Sequence, residues 1–299
     1  MQKILLTGVN GQVGYALKTK LTEYEVVALS REQLDLTKIH DIRRVVREIK
    51  PNVIINPAAY TSVDKAESEP ELAFAINATA PQILAEEAAR LGAALIHFST
   101  DYVYDGIKKI PYVEHDDVNP VSVYGKSKLA GETSIRAVGL PHLILRTSWV
   151  YGAYGKNFLK TILRLAAERD TLCIVGDQVG APTSSESIAK AVVQLVDVWK
   201  PTQENQTGIY HLTNKGETSW YGFSCEIVNQ YNALMSGKDW SALKVNAKNI
   251  AAITTVDYPS PAARPANSRL NNAKLKQMFD VELPAWPHAL QQVMKSLVL

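Results

Sequence analysis

The sequence has little of what a disulfide-bonded, zinc-binding or membrane protein needs. Its 299 residues include two cysteines, Cys173 and Cys225, and neither lies in a CxxC motif or beside a histidine cluster. No apolar run approaches the roughly 20 residues that cross a bilayer. The first residues, MQKILLTG, lead directly into an apolar strand pattern without the charged leader of a signal peptide. We therefore expect a protein of the reducing cytoplasm that does not span a membrane.

A strong charge of either sign is also missing. Lys and Arg number 32 against 30 Asp and Glu, and the net charge of +2 gives no field that would favour nucleic-acid binding. The composition is 46% hydrophobic, which is enough for a large core. We expect a larger unit over residues 1–150 and a smaller one over residues 151–299, with some elements of the second returning to the first. The sequence does not fix the oligomeric state, and a homodimer is left open.

Short β-branched runs alternate with helical patterns through the first half of the chain. The runs are Ile4–Thr7, Val26–Ser30, Val53–Asn56, Ala94–Ser99 and Leu143–Thr147. Runs such as VIIN are apolar throughout, which is typical of parallel strands covered by helices on both faces. We predict an α/β fold with a doubly wound parallel sheet of the Rossmann type.

After about Trp149 the pattern is less regular. A helix near residues 157–169, a strand TLCIV, a helix to Trp199, a strand in GIYHLTN and a last helix reaching Leu299 are predicted. We interpret this region as a smaller C-terminal substrate-binding domain.

Glycines recur at every third position directly after the first predicted strand. The segment GVNGQVG carries Gly8, Gly11 and Gly14 between that strand and a helix that begins near Gln12. Such a turn lets the backbone approach a pyrophosphate and directs helix N–H groups at it. We expect a dinucleotide to bind at Gly8, Asn10, Gly11, Gln12, Val13 and Gly14; a tight turn without a ligand is the alternative.

The end of the second strand bears on the choice of cofactor. No acidic residue stands at Ser30-Arg31 to bind the adenosine ribose hydroxyls of NADH. The guanidinium of Arg31 matches a 2′-phosphate, which favours NADPH, although a solvent-exposed arginine is the alternative. Asp35, followed by Leu36, stands close enough along the chain to face the adenine, so NADH remains open.

Two YxxxK patterns occur in the chain. Tyr104…Lys108 is interrupted by Asp105-Gly106 and is typical of a turn. Tyr124…Lys128 opens YGKSKLAGETSIRAV, whose periodicity predicts a helix, so its two side chains share one face. The second pattern is therefore the candidate site.

This pair suits the reduction of a ketone. A nearby ammonium lowers the pKa of a phenol from its usual value of about 10, so Lys128 would activate Tyr124 as the proton donor and also bind the nicotinamide ribose. The carbonyl needs a further hydrogen-bond donor at the carboxyl end of a central strand. The strand in ALIHFST ends at Ser99-Thr100. We assign Thr100 to this role, with Ser99 as the second choice.

Longer stretches carry a resemblance to a known family. They are NPAAYTSVDKAE, STDYVYDG, YGKSKLAGE, LRTSWVYG, DQVGAPTS and AARPANSRL. Over nearly its whole length the chain resembles the extended short-chain dehydrogenase/reductase family, whose members act mainly on nucleotide sugars. The resemblance implies reduction of the 4-keto group of dTDP-4-dehydro-L-rhamnose to dTDP-L-rhamnose, a step of cell-surface polysaccharide biosynthesis, with NADPH or NADH.

The resemblance also implies roles for individual residues. Three residues after the third strand would line the cofactor: Ala58, Ala59 and Tyr60. The substrate would meet Thr100, Asp101, Trp149, Gln178, Gly180, Pro182 and Arg264. Of these, the guanidinium of Arg264 is a candidate clamp for the diphosphate because it donates two parallel hydrogen bonds. For Trp149 a ring packed in the core is the alternative.

Other activities of the same family remain as alternatives. Related dehydratases carry Thr-Asp-Glu at the end of the central strand, whereas Tyr102 follows Asp101 here, which favours simple reduction. Another nucleotide-sugar ketoreductase or an epimerase stays open, since a fold does not fix a substrate. A regulatory subunit that only binds the dinucleotide is less favoured, because Thr100, Tyr124 and Lys128 are all present.

No metal site is predicted. Some members of the family that the chain resembles hold magnesium at a dimer contact through glutamates, one of them in the first helix, where this chain has Tyr15-Ala16-Leu17. Asp64 and Glu67 are interpreted as carboxylates at a helix start, which the helix dipole favours. His97, within the strand before the candidate site, is interpreted as a buried, hydrogen-bonded histidine rather than a base.

Overall fold

A parallel six-stranded sheet forms the centre of the protein in a computed structural model that describes residues 2–235 and 240–297. From one edge to the other its strands are β2 (Glu25–Ala28), β1 (Lys3–Leu6), β3 (Val53–Asn56), β4 (Ala94–Thr100), β5 (His142–Thr147) and β10 (Gly208–His211). All neighbouring pairs are parallel. The order reverses between β1 and β3, the point at which open α/β sheets bind ligands.

Helices cover both faces of this sheet. One face carries α1 (Gln12–Lys20), α8 (Ser185–Val198) and α10 (Ala273–Phe279). The other carries α2 (Ile39–Ile49), α5 (Ala80–Leu91), which continues α4 (Pro70–Phe74) through one π-helical turn, and α6 (Val123–Val138). The short helix α3 (Val63–Ala66) precedes α4.

Strand β1 shows why these strands are apolar throughout. Ile4 and Leu6 pack into the core beneath α1 and α8, whereas Leu5 packs into the core beneath α2 and α5. All three side chains are fully buried. Since alternate residues point to opposite faces, burial on both faces requires an apolar residue at every position. The predicted doubly wound α/β fold is confirmed.

The remaining elements build a separate apolar cluster. Helices α7 (Phe158–Glu168), α9 (Trp220–Leu234) and α11 (Trp286–Ser296) pack around it. Three short strand pairs accompany them: β6 (Val150–Tyr151) with β9 (Thr183–Ser184), β7 (Leu172–Val175) with β12 (Ile250–Ile253), and β8 (Val179–Gly180) with β11 (Thr218–Ser219). Among the described residues no helix is both long and apolar enough to cross a membrane.

Strand boundaries lie close to those expected from the sequence. β3 is found as predicted, whereas β2 begins and ends earlier than the run Val26–Ser30. Strand β10 follows α8 in the chain and pairs with β5, so the second half of the sequence contributes an edge strand to the main sheet. The helix predicted to reach Leu299 is α11, and residues 298–299 lie outside the described part of the chain.

A buried ion pair connects β5 to α6. Arg146 donates to Glu132 through Nε at 2.9 Å and Nη2 at 2.6 Å, and both side chains are only 2% exposed. The Arg146 guanidinium also donates to the hydroxyl of Tyr104, and Ser99 donates to the Glu132 carboxylate. These contacts compensate two charges that would otherwise be costly to bury.

Replacing one partner of this pair should destabilise the fold strongly. We expect Glu132→Ala to lower the free energy of unfolding by about 3–5 kcal/mol, because Arg146 would remain buried without a counter-charge. Urea denaturation at neutral pH measures this. The control is Glu48→Ala, which removes an exposed pair with Arg44 on α2 and should change stability little. Equal effects of the two variants would contradict the prediction.

Candidate active site

The glycine turn brings the start of α1 close to the end of β1. Gly8 has φ of +60°, and a Cβ on Gly14 would lie 2.1 Å from the Gly8 carbonyl oxygen. A side chain at Gly14 would therefore push the helix away from the turn, and one at Gly8 would meet Ala58 after β3. No side chain among the described residues caps α1 at Gly11, so the first N–H groups of the helix are available to an anion.

A cavity of about 450 Å³ opens above this turn. The predicted cofactor residues on its walls are Gly8, Asn10, Gly11, Gln12, Val13, Gly14, Arg31, Asp35, Leu36, Ala58, Ala59, Tyr124 and Lys128. Ser30 and Tyr60 do not line it, and the hydroxyl of Tyr60 donates to Glu69 instead. The free helix N-terminus, the close backbone approach and a cavity lined from Arg31 to Lys128 fit a dinucleotide.

One charged residue of the cavity was missed in the sequence. Lys156 lies on the wall together with Gly155, in the loop between β6 and α7. Asn157 holds this loop to the glycine turn by donating to Gln12 Oε1 at 3.0 Å. The sequence signal was a second glycine-rich stretch, YGAYGK, whose position beside the first depends on the tertiary fold.

The structure separates the two YxxxK patterns. Tyr104 is fully buried and contacts Arg146, while Lys108 pairs with Asp116. Tyr124 instead lies in the first turn of α6, on the wall of the cofactor cavity, with Lys128 beside the same cavity.

Local contacts place Tyr124 at the end of β4. Ser122 caps α6 by accepting from the Gly125 N–H at 3.2 Å. A Cβ on Gly125 would lie 2.2 Å from the carbonyl oxygen of Tyr102, so glycine allows the helix to approach the loop after β4. The rings of Tyr102 and Tyr124 meet edge to face with centroids 5.4 Å apart.

The pKa of Tyr124 is shifted upward, whereas the sequence predicted a downward shift. Burial raises the pKa of Tyr124 to about 12, and a hydrogen bond with Thr100 opposes this shift. Lys128 Nζ contacts the Phe98 carbonyl oxygen at 2.6 Å and His97 Nε2 at 3.2 Å. A phenol with such a pKa is protonated at neutral pH, as a proton donor must be.

Ser99 and Thr100 have different partners. Ser99 lines the cofactor cavity but donates its hydroxyl to Glu132. Thr100 does not line that cavity; its hydroxyl interacts with Tyr124 and donates to Asp101 at 3.0 Å. Burial raises the pKa of Asp101 to about 6. Of the two hydroxyls, that of Thr100 is the one that acts on the pKa of Tyr124, and its role as donor to the carbonyl stays a prediction.

Trp149 has an unusual backbone conformation. Its φ of +49° is rare for an aromatic residue and marks local strain. The indole stacks on Trp220 with centroids 3.6 Å apart, and a Cβ on Gly180 would lie 2.7 Å from it. Gly180 thus leaves room for the Trp149 ring. Trp220, from the start of α9, is a further aromatic partner that no motif in the sequence indicated.

The predicted substrate residues, Trp149 included, do not line the cofactor cavity, and the remaining ones have contacts of their own. Arg264 pairs with Asp64 at 2.9 Å, and its Nε is buried without a partner among the described residues. Gln178 donates to Thr255 at 3.1 Å, and Pro182 lies between β8 and β9.

Carboxylates near the cleft are engaged in contacts of their own. Asp64 binds Arg264, as described above, and Glu67 accepts from the Val123 N–H at 2.9 Å. In the described part of the chain no three His, Cys, Asp or Glu side chains converge as metal ligands would.

Comparison with known proteins places these features in a family. A family model described as the RmlD substrate binding domain matches residues 1–299. The chain belongs to this RmlD family. A relative in it, the dTDP-4-dehydrorhamnose reductase of Burkholderia thailandensis, is 43% identical, over 99% of each chain.

Two solved structures are similar to this RmlD-family fold. The dTDP-4-dehydrorhamnose reductase of Clostridium acetobutylicum is 39% identical, with 98% of each chain covered and a TM-score of 0.88. That of Bacillus anthracis, solved in complex with NADP, is 34% identical, with 98% of this chain and 99% of the other covered and a TM-score of 0.89. The resemblance found from the sequence motifs is confirmed.

The contact between Gly14 and Gly8 gives a test of the turn. We expect Gly14→Ala to weaken NADPH binding by at least about tenfold, since the methyl group would displace the helix N-terminus from the anion. Fluorescence titration with NADPH measures the dissociation constant. The control is Gly139→Ala at the end of α6, where a Cβ meets open space, so that only its positive φ adds strain. Wild-type affinity in Gly14→Ala would contradict the prediction.

Proposed function

We propose that this chain is an NADPH- or NADH-dependent oxidoreductase that reduces the 4-keto group of dTDP-4-dehydro-L-rhamnose to give dTDP-L-rhamnose. The observation that carries the proposal is the place of Tyr124 and Lys128 on the wall of the cavity that opens at the glycine turn. Membership of the RmlD family and the names of the relatives support the substrate. The NADP complex of the Bacillus anthracis protein supports the cofactor.

The cofactor-binding residues act through backbone and charge. The glycine turn binds the pyrophosphate, Arg31 binds a 2′-phosphate, and Asp35 and Leu36 border the adenine. The ammonium of Lys128 binds the nicotinamide ribose. Ser30, Ala58, Ala59 and Tyr60 complete this proposed set. The bound nicotinamide supplies the hydride that reaches C4 of the sugar.

The protein supplies the proton and stabilises the developing charge. Thr100 donates a hydrogen bond to the ketone oxygen, and Tyr124 transfers its phenolic proton to the same oxygen as general acid. The charge of Lys128 stabilises the phenolate that Tyr124 becomes. Carbon thus gains the hydride and oxygen gains the proton.

The remaining proposed residues hold the sugar and nucleotide. Asp101 contacts the sugar, and Trp149 presents its ring to the sugar or base. Arg264 exchanges Asp64 for the substrate diphosphate, for which its buried, unpaired Nε is a free donor. Gln178, Gly180 and Pro182 shape the nucleotide pocket. In this proposal residues 1–150 bind the dinucleotide and residues 151–299 mainly bind the substrate.

A direct spectrophotometric assay tests which substrate the protein reduces. The protein is incubated with dTDP-4-dehydro-L-rhamnose and NADPH or NADH, and nicotinamide absorbance is followed. We expect cofactor oxidation with formation of dTDP-L-rhamnose. Turnover only with a GDP- or UDP-linked ketone would assign another nucleotide-sugar reductase, and binding of the dinucleotide without any turnover would assign a regulatory subunit. A cytoplasmic location and a homodimer stay predictions, the latter for light scattering to test.

Removing the phenolic proton should abolish most activity without loss of cofactor binding. We expect Tyr124→Phe to lower kcat by at least about 100-fold, because the ring remains but no proton is donated to the ketone oxygen. Steady-state kinetics and an NADPH titration measure the two effects. The control is Tyr104→Phe, in the other YxxxK pattern, which should keep far more of the rate. Unchanged turnover in Tyr124→Phe would show that the acid lies elsewhere.

Arg31 should affect the two cofactors unequally. We expect Arg31→Ala to weaken NADPH binding by about tenfold or more and to change NADH binding much less, because only NADPH carries the 2′-phosphate. Parallel titrations with both nucleotides give the ratio. Lys38→Ala, the next basic residue along the chain, serves as the control because it does not line the cavity. Equal losses for both cofactors would contradict a 2′-phosphate contact.

A further inference from the structure

A buried line of four polar side chains crosses the sheet beneath the cofactor cavity. Thr7 Oγ1 lies 2.6 Å from Asn56 Oδ1, Asn56 Nδ2 lies 3.1 Å from His97 Nδ1, and His97 Nε2 lies 3.2 Å from Lys128 Nζ. The four residues come from the ends of β1 and β3, from β4 and from α6, and none is more than 2% exposed. Thr7 and Lys128, at the two ends, both line the cavity.

We propose that His97 is a positioning residue for Lys128, whose ammonium it orients towards the cofactor cavity by accepting one N–H at Nε2. This inference rests on the proposed function, in which Lys128 binds the nicotinamide ribose and stabilises the Tyr124 phenolate. Asn56 in turn fixes the tautomer of His97. On α6, two ionisable side chains lie near Lys128. They are Tyr124, one turn before it, and Glu132, one turn after it, whereas Lys126 is exposed.

The number of N–H donors on Lys128 decides which group donates and which accepts in each hydrogen bond of this line. An ammonium has three N–H donors and no acceptor, so His97 Nε2 must be unprotonated to bind it. The proton of the neutral imidazole is then on Nδ1, which donates to the amide oxygen of Asn56 after half a turn of that amide. The amide nitrogen then donates to Thr7, whose own proton is left for the cavity. The opposite direction requires Lys128 to be a neutral amine.

The surroundings support a neutral His97. Burial, with the nearby Lys128 charge, holds the pKa of His97 well below its usual range. Burial lowers the pKa of Lys128 to about 8, and the carboxylate of Glu132 opposes this shift. With this pKa, the gain or loss of one hydrogen-bond acceptor changes the fraction of Lys128 that is a charged ammonium near neutral pH. The line does not conduct protons, since the Asn56 amide neither gains nor loses one at neutral pH.

A matched pair of amide variants tests the acceptor. In His97→Gln the side chain is long enough to place its oxygen near the position of Nε2, whereas in His97→Asn it reaches only the position of Nδ1. Carbon-13 labelling of the lysine ε-carbons allows the titration of Lys128 to be followed by NMR without substrate, and its signal is assigned by its absence in Lys128→Met. The same variants are assayed for kcat against pH.

We expect the Lys128 pKa in His97→Asn to fall by about one unit, because the ammonium loses an acceptor. The pH at which kcat begins to fall should decrease by the same amount, since Lys128 acts as an ammonium. In His97→Gln the Lys128 pKa and the pH at which kcat falls should stay near those of the wild type. In His97→Asn the affinity for NADPH should fall by a smaller factor than kcat.

Two outcomes would overturn the inference. One is a wild-type Lys128 titration in His97→Asn, and the other is an equal shift in His97→Asn and His97→Gln. His97→Leu, which removes the acceptor without adding an amide, replaces His97→Asn if that variant does not fold, as judged by circular dichroism. A wild-type protein that reduces no nucleotide sugar would refute the proposed function, while the NMR titration would still test the role of His97.

Discussion

Helix α6 packs against strand β4 through buried polar contacts as well as apolar ones. Lys128 contacts the carbonyl oxygen of Phe98 and the ring of His97, and one turn later Glu132 accepts from Ser99. Buried charges are costly unless they are paired, so a shift of the helix along the strand would leave these groups without partners. This constraint fixes the register that places Tyr124 at the end of β4.

The cofactor side of the cleft depends on a close approach of backbone and on a hydrogen bond between two side chains. The turn after β1 is closed by the approach of Gly14 to Gly8, and the loop before α7 is held to it through Gln12. The approach of Gly14 to Gly8 tolerates no Cβ on Gly14, which is why the motif is visible in the sequence. The positive charge of Arg31 and Lys156 reaches the same cavity from two loops that are far apart in the chain.

On the substrate side, local strain is held by stacking. Trp149 adopts a left-handed backbone conformation, and its ring is fixed between Trp220 and the backbone at Gly180. Strained residues persist only where their surroundings determine them, and they often occur at binding sites. The stacked indoles also join the segment after β5 to α9, and so connect the central sheet with the C-terminal cluster.

The sequence by itself determined the features that local chemistry controls. Runs apolar at every position predicted the parallel strands, and glycine spacing predicted the turn at Gly8, because burial on both faces and close backbone approach leave few residue choices. Only the tertiary structure decided that the Ser99 hydroxyl is bound to Glu132, and that Lys128 contacts His97 and the Phe98 carbonyl oxygen. These outcomes depend on contacts between segments distant in the chain and on burial, which no single segment encodes.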